Sequence, residues 1–135
     1  LGQWLGYPST TCVHQPTCGQ SLVAEANGDV YACDHFVYPE YKVGNLTQQP
    51  LTEIVLSNKQ QQFCLEKSQK LTALCRRCEF RKLCYGGCPK HRFVSLENEP
   101  NPHNYLCASY RYFFEQTAPY MQAMARQIRL HPSAA

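Results

Sequence analysis

The spacing of apolar and polar positions divides the chain into segments of different character. Residues 1 to 20 are rich in Gly, Pro, Thr and Gln, hold no steady period and read as irregular chain. From Ser21 the pattern turns strand-like. Residues 21–25 and 29–33 flank Asn27-Gly28, the strongest short hairpin signal, because a type I′ turn needs positive φ at both central positions. The predicted hairpin delivers Cys33 at the end of its second strand, with Asp34 and His35 directly after it. Residues 36–50 set Phe36, Tyr38 and Tyr41 among turn residues, which predicts a packed loop with a short strand at Lys42 to Gly44. Leu51, Ile54 and Val55 take helical spacing after Pro50, so a short helix begins there. Ser57 followed by Gln60 is a capping-box pattern opening a second helix over 58–68, with its Gln-rich face in water and Phe63 inward.

Residues 75–88 carry Cys-x2-Cys-x5-Cys-x3-Cys and read as cysteine-rich knuckle loops; Pro100, Pro102, Asn98, Asn101 and Asn104 make 92–104 a loop. The last element is a helix from Cys107 to Arg129. Tyr110, Phe113, Phe114, Thr117, Met121, Met124, Ala125 and Ile128 form its apolar stripe, which keeps phase across Pro119 and predicts a kinked helix or two helices in register. A Met and aromatic stripe of this kind reads as core or an interdomain contact. The fold class is α+β: a small irregular domain with a β-hairpin, knuckle loops and a long C-terminal helix, spanning 1–130 with a tail at 131–135.

At 135 residues the chain holds one domain with a modest core. Thirteen Lys plus Arg against ten Asp plus Glu leaves +3, too mild for a nucleic-acid or anionic-membrane binder. The 44% hydrophobic fraction excludes a disordered chain. No apolar run approaches the ~18 residues of a membrane span. The chain opens at Leu1 without a signal peptide or an initiator Met, and reads as a piece of a longer protein.

The nine cysteines change the picture most. The number is odd, and it falls below the ~8–10% typical of disulfide scaffolds. Cys12, Cys18 and Cys33 form an upstream group, Cys75, Cys78, Cys84, Cys88 and Cys107 a downstream one, and Cys64 stands alone. Two four-thiolate sites plus a spare thiol fit this pattern, in a reducing, cytoplasmic setting. The upstream group supplies only three thiols, so one downstream cysteine must cross over, and spacing does not say which. Sites laced together in this way make cofactor binding part of the folding free energy. Four-thiolate sites suit zinc or an iron–sulfur cluster equally, and no His stands at ligand spacing. With no open coordination position, such sites are structural or electron-carrying. The glycines of Gly86-Gly87-Cys88-Pro89 let backbone N–H groups approach and donate to sulfur. Radical S-adenosylmethionine enzymes carry Cys-x3-Cys-x2-Cys; Cys84-x3-Cys88 starts that pattern, but His91 stands where its third cysteine belongs. The chain alone is therefore expected to be inactive.

The stretch from Asn27 through Cys33-Asp34-His35 to Asn45 carries a family resemblance. So do Cys75-x2-Cys78-x5-Cys84-Tyr85-Gly86-Gly87-Cys88-Pro89-Lys90 and Asn104-Tyr105-Leu106-Cys107. Together they resemble the C-terminal SPASM domain of anaerobic sulfatase-maturating enzymes, over about Cys12 to Met124. The resemblance implies two [4Fe–4S] clusters, one on Cys12, Cys18, Cys33 and Cys88, the other on Cys75, Cys78, Cys84 and Cys107. Cys88 would be the crossing ligand, and Cys64, without a family counterpart, a buried or half-buried thiol. The implied parent enzyme oxidises a Cys or Ser of a sulfatase polypeptide to Cα-formylglycine. Its N-terminal barrel would hold S-adenosylmethionine and a third [4Fe–4S] cluster, and would be this domain's other partner.

From the residues alone Asp34 reads as an Asx-type turn at a strand end. The resemblance makes it the catalytic base, a role that calls for burial to raise its pKa. His35 reads as a polar neighbour. Arg76, Arg77, Arg81, Lys82, Lys90 and Arg92 read as a solvated charged face that could also ease reduction of an anionic cluster. Tyr38, Tyr41 and Tyr85 read as core or rim packing, or as the lining of a peptide groove. Two other readings stand beside this one: a scaffold with two four-cysteine zinc sites, and a SPASM domain serving a different peptide.

Overall fold

The hairpin expected around Asn27-Gly28 is present in the computed structural model, which describes residues 1–19 and 21–131. Its helices are α1 (Gly2–Leu5), α2 (Leu51–Val55), α3 (Asn58–Gln69), α4 (Ala73–Arg77), α5 (Arg81–Cys84) and α6 (Cys107–Leu130). Its strands are β1 (Val23–Ala24), β2 (Asp29–Tyr31), β3 (Lys42–Asn45), β4 (Arg92–Val94) and β5 (His103–Asn104). β1 and β2 pair antiparallel with Ala24 opposite Val30, and β3 adds antiparallel to the other side of β2 with Gly44 opposite Val30.

The turn differs from the expected type I′. Gly28 has φ 85°, while Asn27 is not at positive φ. Gly28 N–H donates to Glu25 O at 2.9 Å and Glu25 N–H to Asp29 O at 2.8 Å, which closes a three-residue loop with its glycine last. Asn27 instead accepts from Asp29 N–H at 3.0 Å, an Asx turn that a left-handed Asn27 is not needed for.

Under this sheet lies the first core: Val30, Ala32, Val43 and Ile54, with Leu22 and Phe63 against them. Gly44 is small for a packing reason. A Cβ there would sit 2.7 Å from Ile54 Cγ1, so a side chain would push α2 off β3. Ile54 is fully buried. Ile54→Ala is expected to cost about 2–5 kcal/mol, read as a lower urea midpoint with an unchanged m-value.

Helix α3 begins where the capping pattern predicts, with Ser57 Oγ accepting from Gln60 N–H at 3.2 Å. Its glutamine face is not all solvated. Gln61 and Gln62 are exposed, but Gln60 is 2% exposed, because its amide donates to Gly19 O at 3.1 Å.

The second core is Phe80, Leu83 and Phe114, with Trp4 and Tyr110 packed on them, so α1, α5 and α6 meet there. Helix α6 runs unbroken through Pro119. Phe114 and Ala125 are buried, whereas Phe113 and Met124 are exposed, so the buried stripe is narrower than the sequence pattern. Residues 92–104 are not all loop, since β4 and β5 pair antiparallel with Arg92 opposite Asn104. The prolines that argued for loop lie between the two strands and leave their hydrogen-bonding groups free to pair. The irregular start also contains α1 and a 3₁₀ turn at Cys12–His14, and the knuckle region contains α4 and α5. Of the expected tail, Pro132 to Ala135 lie outside the described residues. Among the described residues no helix is long and apolar enough to cross a membrane.

The two cores share no residue, and each is small. A chain of this length with so thin an apolar interior depends on other ties between its halves.

Candidate cluster-binding site

Helix termini deliver the downstream thiols. Thr72 caps α4 by accepting from Cys75 N–H at 3.3 Å, Cys78 follows the end of α4, Cys84 ends α5 and Cys107 begins α6. After α5 the chain reverses through three consecutive left-handed residues, Tyr85 (φ 48°), Gly86 (73°) and Gly87 (63°). In this reversal Gly87 N–H donates to Cys84 O at 2.9 Å, and the N–H groups of Gly86 and Gly87 oppose the burial that raises the Cys84 pKa. Gly87 has no room for a side chain, since a Cβ would lie 2.4 Å from Asn104 Nδ2. Cys75, Cys78, Cys84 and Cys107 all line one cavity of about 220 Å³, with Phe80, Tyr110 and Phe114 forming its apolar wall. Cys107 is pushed up to about 11, by burial first and then by the charges of Cys75, Cys84 and Cys78.

The upstream thiols are held differently. The segment from Cys12 to Cys18 is hung on α3: Lys67 Nζ donates to Cys12 O at 2.6 Å and Val13 O at 3.0 Å. Cys18 N–H donates to Cys64 O at 3.1 Å, and Ser68 Oγ donates to Pro16 O. Cys18 is pushed up to about 11 by burial, with Cys88 and Cys12 adding to the rise and Lys67 opposing it. Cys33, two residues past β2, is pushed up to about 12 by burial, with Asp34 and Cys18 adding to it. Cys88 is 7% exposed and lies in the field of Cys18, while His35 Nδ1 is 3.7 Å from its sulfur. Cys12, Cys33 and Cys88 thus each share a charge interaction with Cys18, although among the described residues no three metal-binding side chains stand close enough to hold a single ion. Cys64 is half-buried against Gly19 and Gln60 and belongs to neither group.

Asp34 is exposed, contrary to the burial its expected role called for. The Cys33 thiol donates to Asp34 Oδ1 at 3.2 Å, and this bond, aided by His35, holds the carboxyl below the usual range. Of the six cations near the knuckle, Arg76, Arg77, Arg81 and Lys82 are exposed. Lys90 lies 4.1 Å over the Tyr38 ring and 5.4 Å from that of Phe36, a cation–π contact beside the Asp34 turn. Tyr41 packs on Phe36 and Phe63, and Tyr38 is exposed.

Arg92 is the one of the six that turns inward. Its guanidinium donates to Lys67 O at 2.8 Å, Tyr85 O at 3.0 Å and Gly86 O at 3.2 Å, and it lies in the field of thiols from both groups. Sequence reasoning missed Lys67, which is 1% exposed. The signal for it was present: Gln60, Phe63, Cys64 and Lys67 occupy the i, i+3, i+4 and i+7 positions of one helix face. His103 was missed as well. It is buried, with Nδ1 3.0 Å from Thr72 Oγ1 and 3.7 Å from the Cys75 sulfur.

The donor chemistry and the space both suit an iron–sulfur group. A cavity of about 220 Å³ bordered by four thiols leaves room for a group larger than a single ion. Lys67 and Arg92 are buried or half-buried cations, and among the described residues neither is paired with a carboxylate. An anionic occupant bounded by thiolates offsets that cost.

A small α+β domain with thiols gathered in this way is of the iron–sulfur-binding class. Residues 12–79, just over half of the chain, match the SPASM family, an iron–sulfur cluster-binding domain, and the chain belongs to that family. It is 43% identical over 129 residues to a serine-type anaerobic sulfatase-maturating enzyme of Bacteroides thetaiotaomicron, which covers 95% of this chain and 31% of that one. A cysteine-type anaerobic sulfatase-maturating enzyme of Clostridium perfringens is 35% identical over 121 residues, covering 90% of this chain and 32% of that one. The solved structure of native anSMEcpe with bound AdoMet and Cp18Cys peptide superposes with a TM-score of 0.76 at 34% identity. That match covers 94% of this chain and 34% of that one. The chain spans about a third of the length of the curated relatives it matches.

Proposed function

We propose that this chain is the auxiliary-cluster domain of a cytoplasmic radical S-adenosylmethionine enzyme that oxidises a sulfatase Cys or Ser to Cα-formylglycine. The observation that supports the reading is four thiols on one cavity, with Cys12, Cys33 and Cys88 coupled in charge to Cys18, in a chain 43% identical to a sulfatase-maturating relative. On this reading Cys12, Cys18, Cys33 and Cys88 hold one [4Fe–4S] cluster, and Cys75, Cys78, Cys84 and Cys107 hold the other. When bound, fully ligated clusters of this kind supply one-electron transfer with no open coordination position. S-adenosylmethionine, a third cluster and the barrel that holds them belong to the rest of the enzyme.

The chain's own residues prepare the two places. Gly86 and Gly87 stabilise the Cys84 thiolate through their N–H groups. Phe80, Tyr110 and Phe114 wall the downstream cavity with apolar surface. Once a hydrogen atom has left the target Cβ, that residue must still lose one electron and one proton to become a carbonyl-type product. Asp34 is exposed beside Cys33, where a peptide can reach its carboxylate, and Oδ1 takes the proton. When Cys33 is a thiolate, the hydrogen bond that holds the Asp34 carboxyl low is gone. The sulfur's negative charge then raises the carboxyl toward the pH at which a base works best.

Metal and sulfide analysis after anaerobic reconstitution tests this. About eight irons with matching sulfide per chain segment of this kind are expected, apart from any cluster held elsewhere in the enzyme. About two zincs without sulfide would put the zinc scaffold in its place.

A further inference from the structure

Lys67 has no ordinary reason to be inside. It lies in the last turn of α3 at 1% exposure, where a lysine normally keeps its head in water. Its ammonium donates to two backbone carbonyls, Cys12 O and Val13 O. A neutral amide could make such bonds without the cost of taking a charge out of water. The three ion pairs among the described residues, Lys42–Asp29, Lys70–Glu66 and Arg111–Glu115, leave Lys67 out. Apart from Arg92, the charges that act on its ammonium are thiols, those of Cys18, Cys12 and Cys88, and the carbonyl it holds at 2.6 Å is that of Cys12. Arg92 is tied to the same place through Lys67 O, and the thiols of Cys75 and Cys84 act on its charge together with those of Cys18 and Cys88.

We infer that Lys67, with Arg92 beside it, is the built-in counter-charge of the upstream thiol group, and that its positive charge sets how readily a cluster held there accepts an electron. This rests on the cluster reading above. Lys67 is a positioning residue: it touches the backbone of Cys12 and acts through its field, taking no part in bond making. Reduction adds one electron to an already anionic group, so a fixed cation nearby favours the reduced form, and removing that cation disfavours it. Lys59 and Lys70, the lysines nearest to it in sequence, are exposed, and Glu66 is paired with Lys70.

The test compares Lys67→Gln with Lys67→Arg in the full-length, anaerobically reconstituted protein. The readout is an EPR-monitored redox titration together with iron content. Glutamine keeps a donor for the Cys12 and Val13 carbonyls and removes the charge; arginine keeps the charge. Full iron is expected in both. Lys67→Gln should lower the reduction equilibrium constant of one cluster about tenfold, which is about 59 mV for a one-electron couple. Lys67→Arg should stay near the parent, and the other cluster should move little. Equal midpoints in the parent and in Lys67→Gln overturn the inference. If Lys67→Gln loses iron, Arg92→Gln is titrated in its place, with both midpoints expected to fall; unchanged midpoints there overturn it equally. A parent protein without iron defeats the cluster reading itself, and shows in the metal analysis before any potential is measured.

Discussion

Asp34→Asn in the full-length enzyme is expected to cut formylglycine formation by roughly 10²–10⁴-fold, the range lost with a general base. Iron content and fold should be unchanged. The two side chains have nearly the same shape, and Asp34 lies outside the strands and both cores, exposed to water. The bond it accepts from the Cys33 thiol exists only while that sulfur carries a proton, so a loaded site does not need it. Mass spectrometry of the peptide product, beside iron analysis of the same sample, separates a missing base from a damaged site. Full activity on a sulfatase peptide would assign the proton to another group. Activity lost together with iron would mean that Asp34 supports Cys33 and not the substrate.

Cys88→Ser should have the largest effect on stability. Cys88 is buried, follows the Gly86-Gly87 reversal and lies in the field of Cys18, seventy positions upstream. The two apolar cores are small and share no residue, so bound iron is expected to supply much of the tie between the halves. A hydroxyl is a poor iron ligand and leaves a buried polar group. The variant should therefore hold about four irons where the parent holds about eight. Its melting midpoint should fall by more than about 10 °C, given several degrees for each kcal/mol in a domain of this size. Cys64→Ser is the control: that thiol belongs to neither group, and the variant should keep its full iron. Full iron in Cys88→Ser would remove Cys88 from the ligand set.

The elements legible in the sequence are those fixed by near neighbours. The hairpin, the Pro50 boundary of α2, the Ser57 cap of α3 and the span of α6 each depend on residues within a few positions. The β4–β5 ribbon was missed because its strands lie on either side of a segment whose own residues say loop. Gln60 and Lys67 look like surface residues until their partners arrive from 41 and 55 positions away. Spacing divided the cysteines into an upstream three and a downstream five, but it left the crossing residue open. Cys88 entered only through the family resemblance. The expected burial of Asp34 failed for the same reason: exposure is set by what packs over a turn, and the described residues leave this one open.

The loop bearing Cys12 and Cys18 is tied to the far end of α3 through Lys67, Ser68 and the carbonyl of Cys64. During synthesis it leaves the ribosome well before that helix does, and long before Cys88. Iron delivered to the nascent chain would meet loose thiols in no fixed arrangement. On the proposed ligand set, loading of this segment is therefore expected to wait until Cys88 has been made.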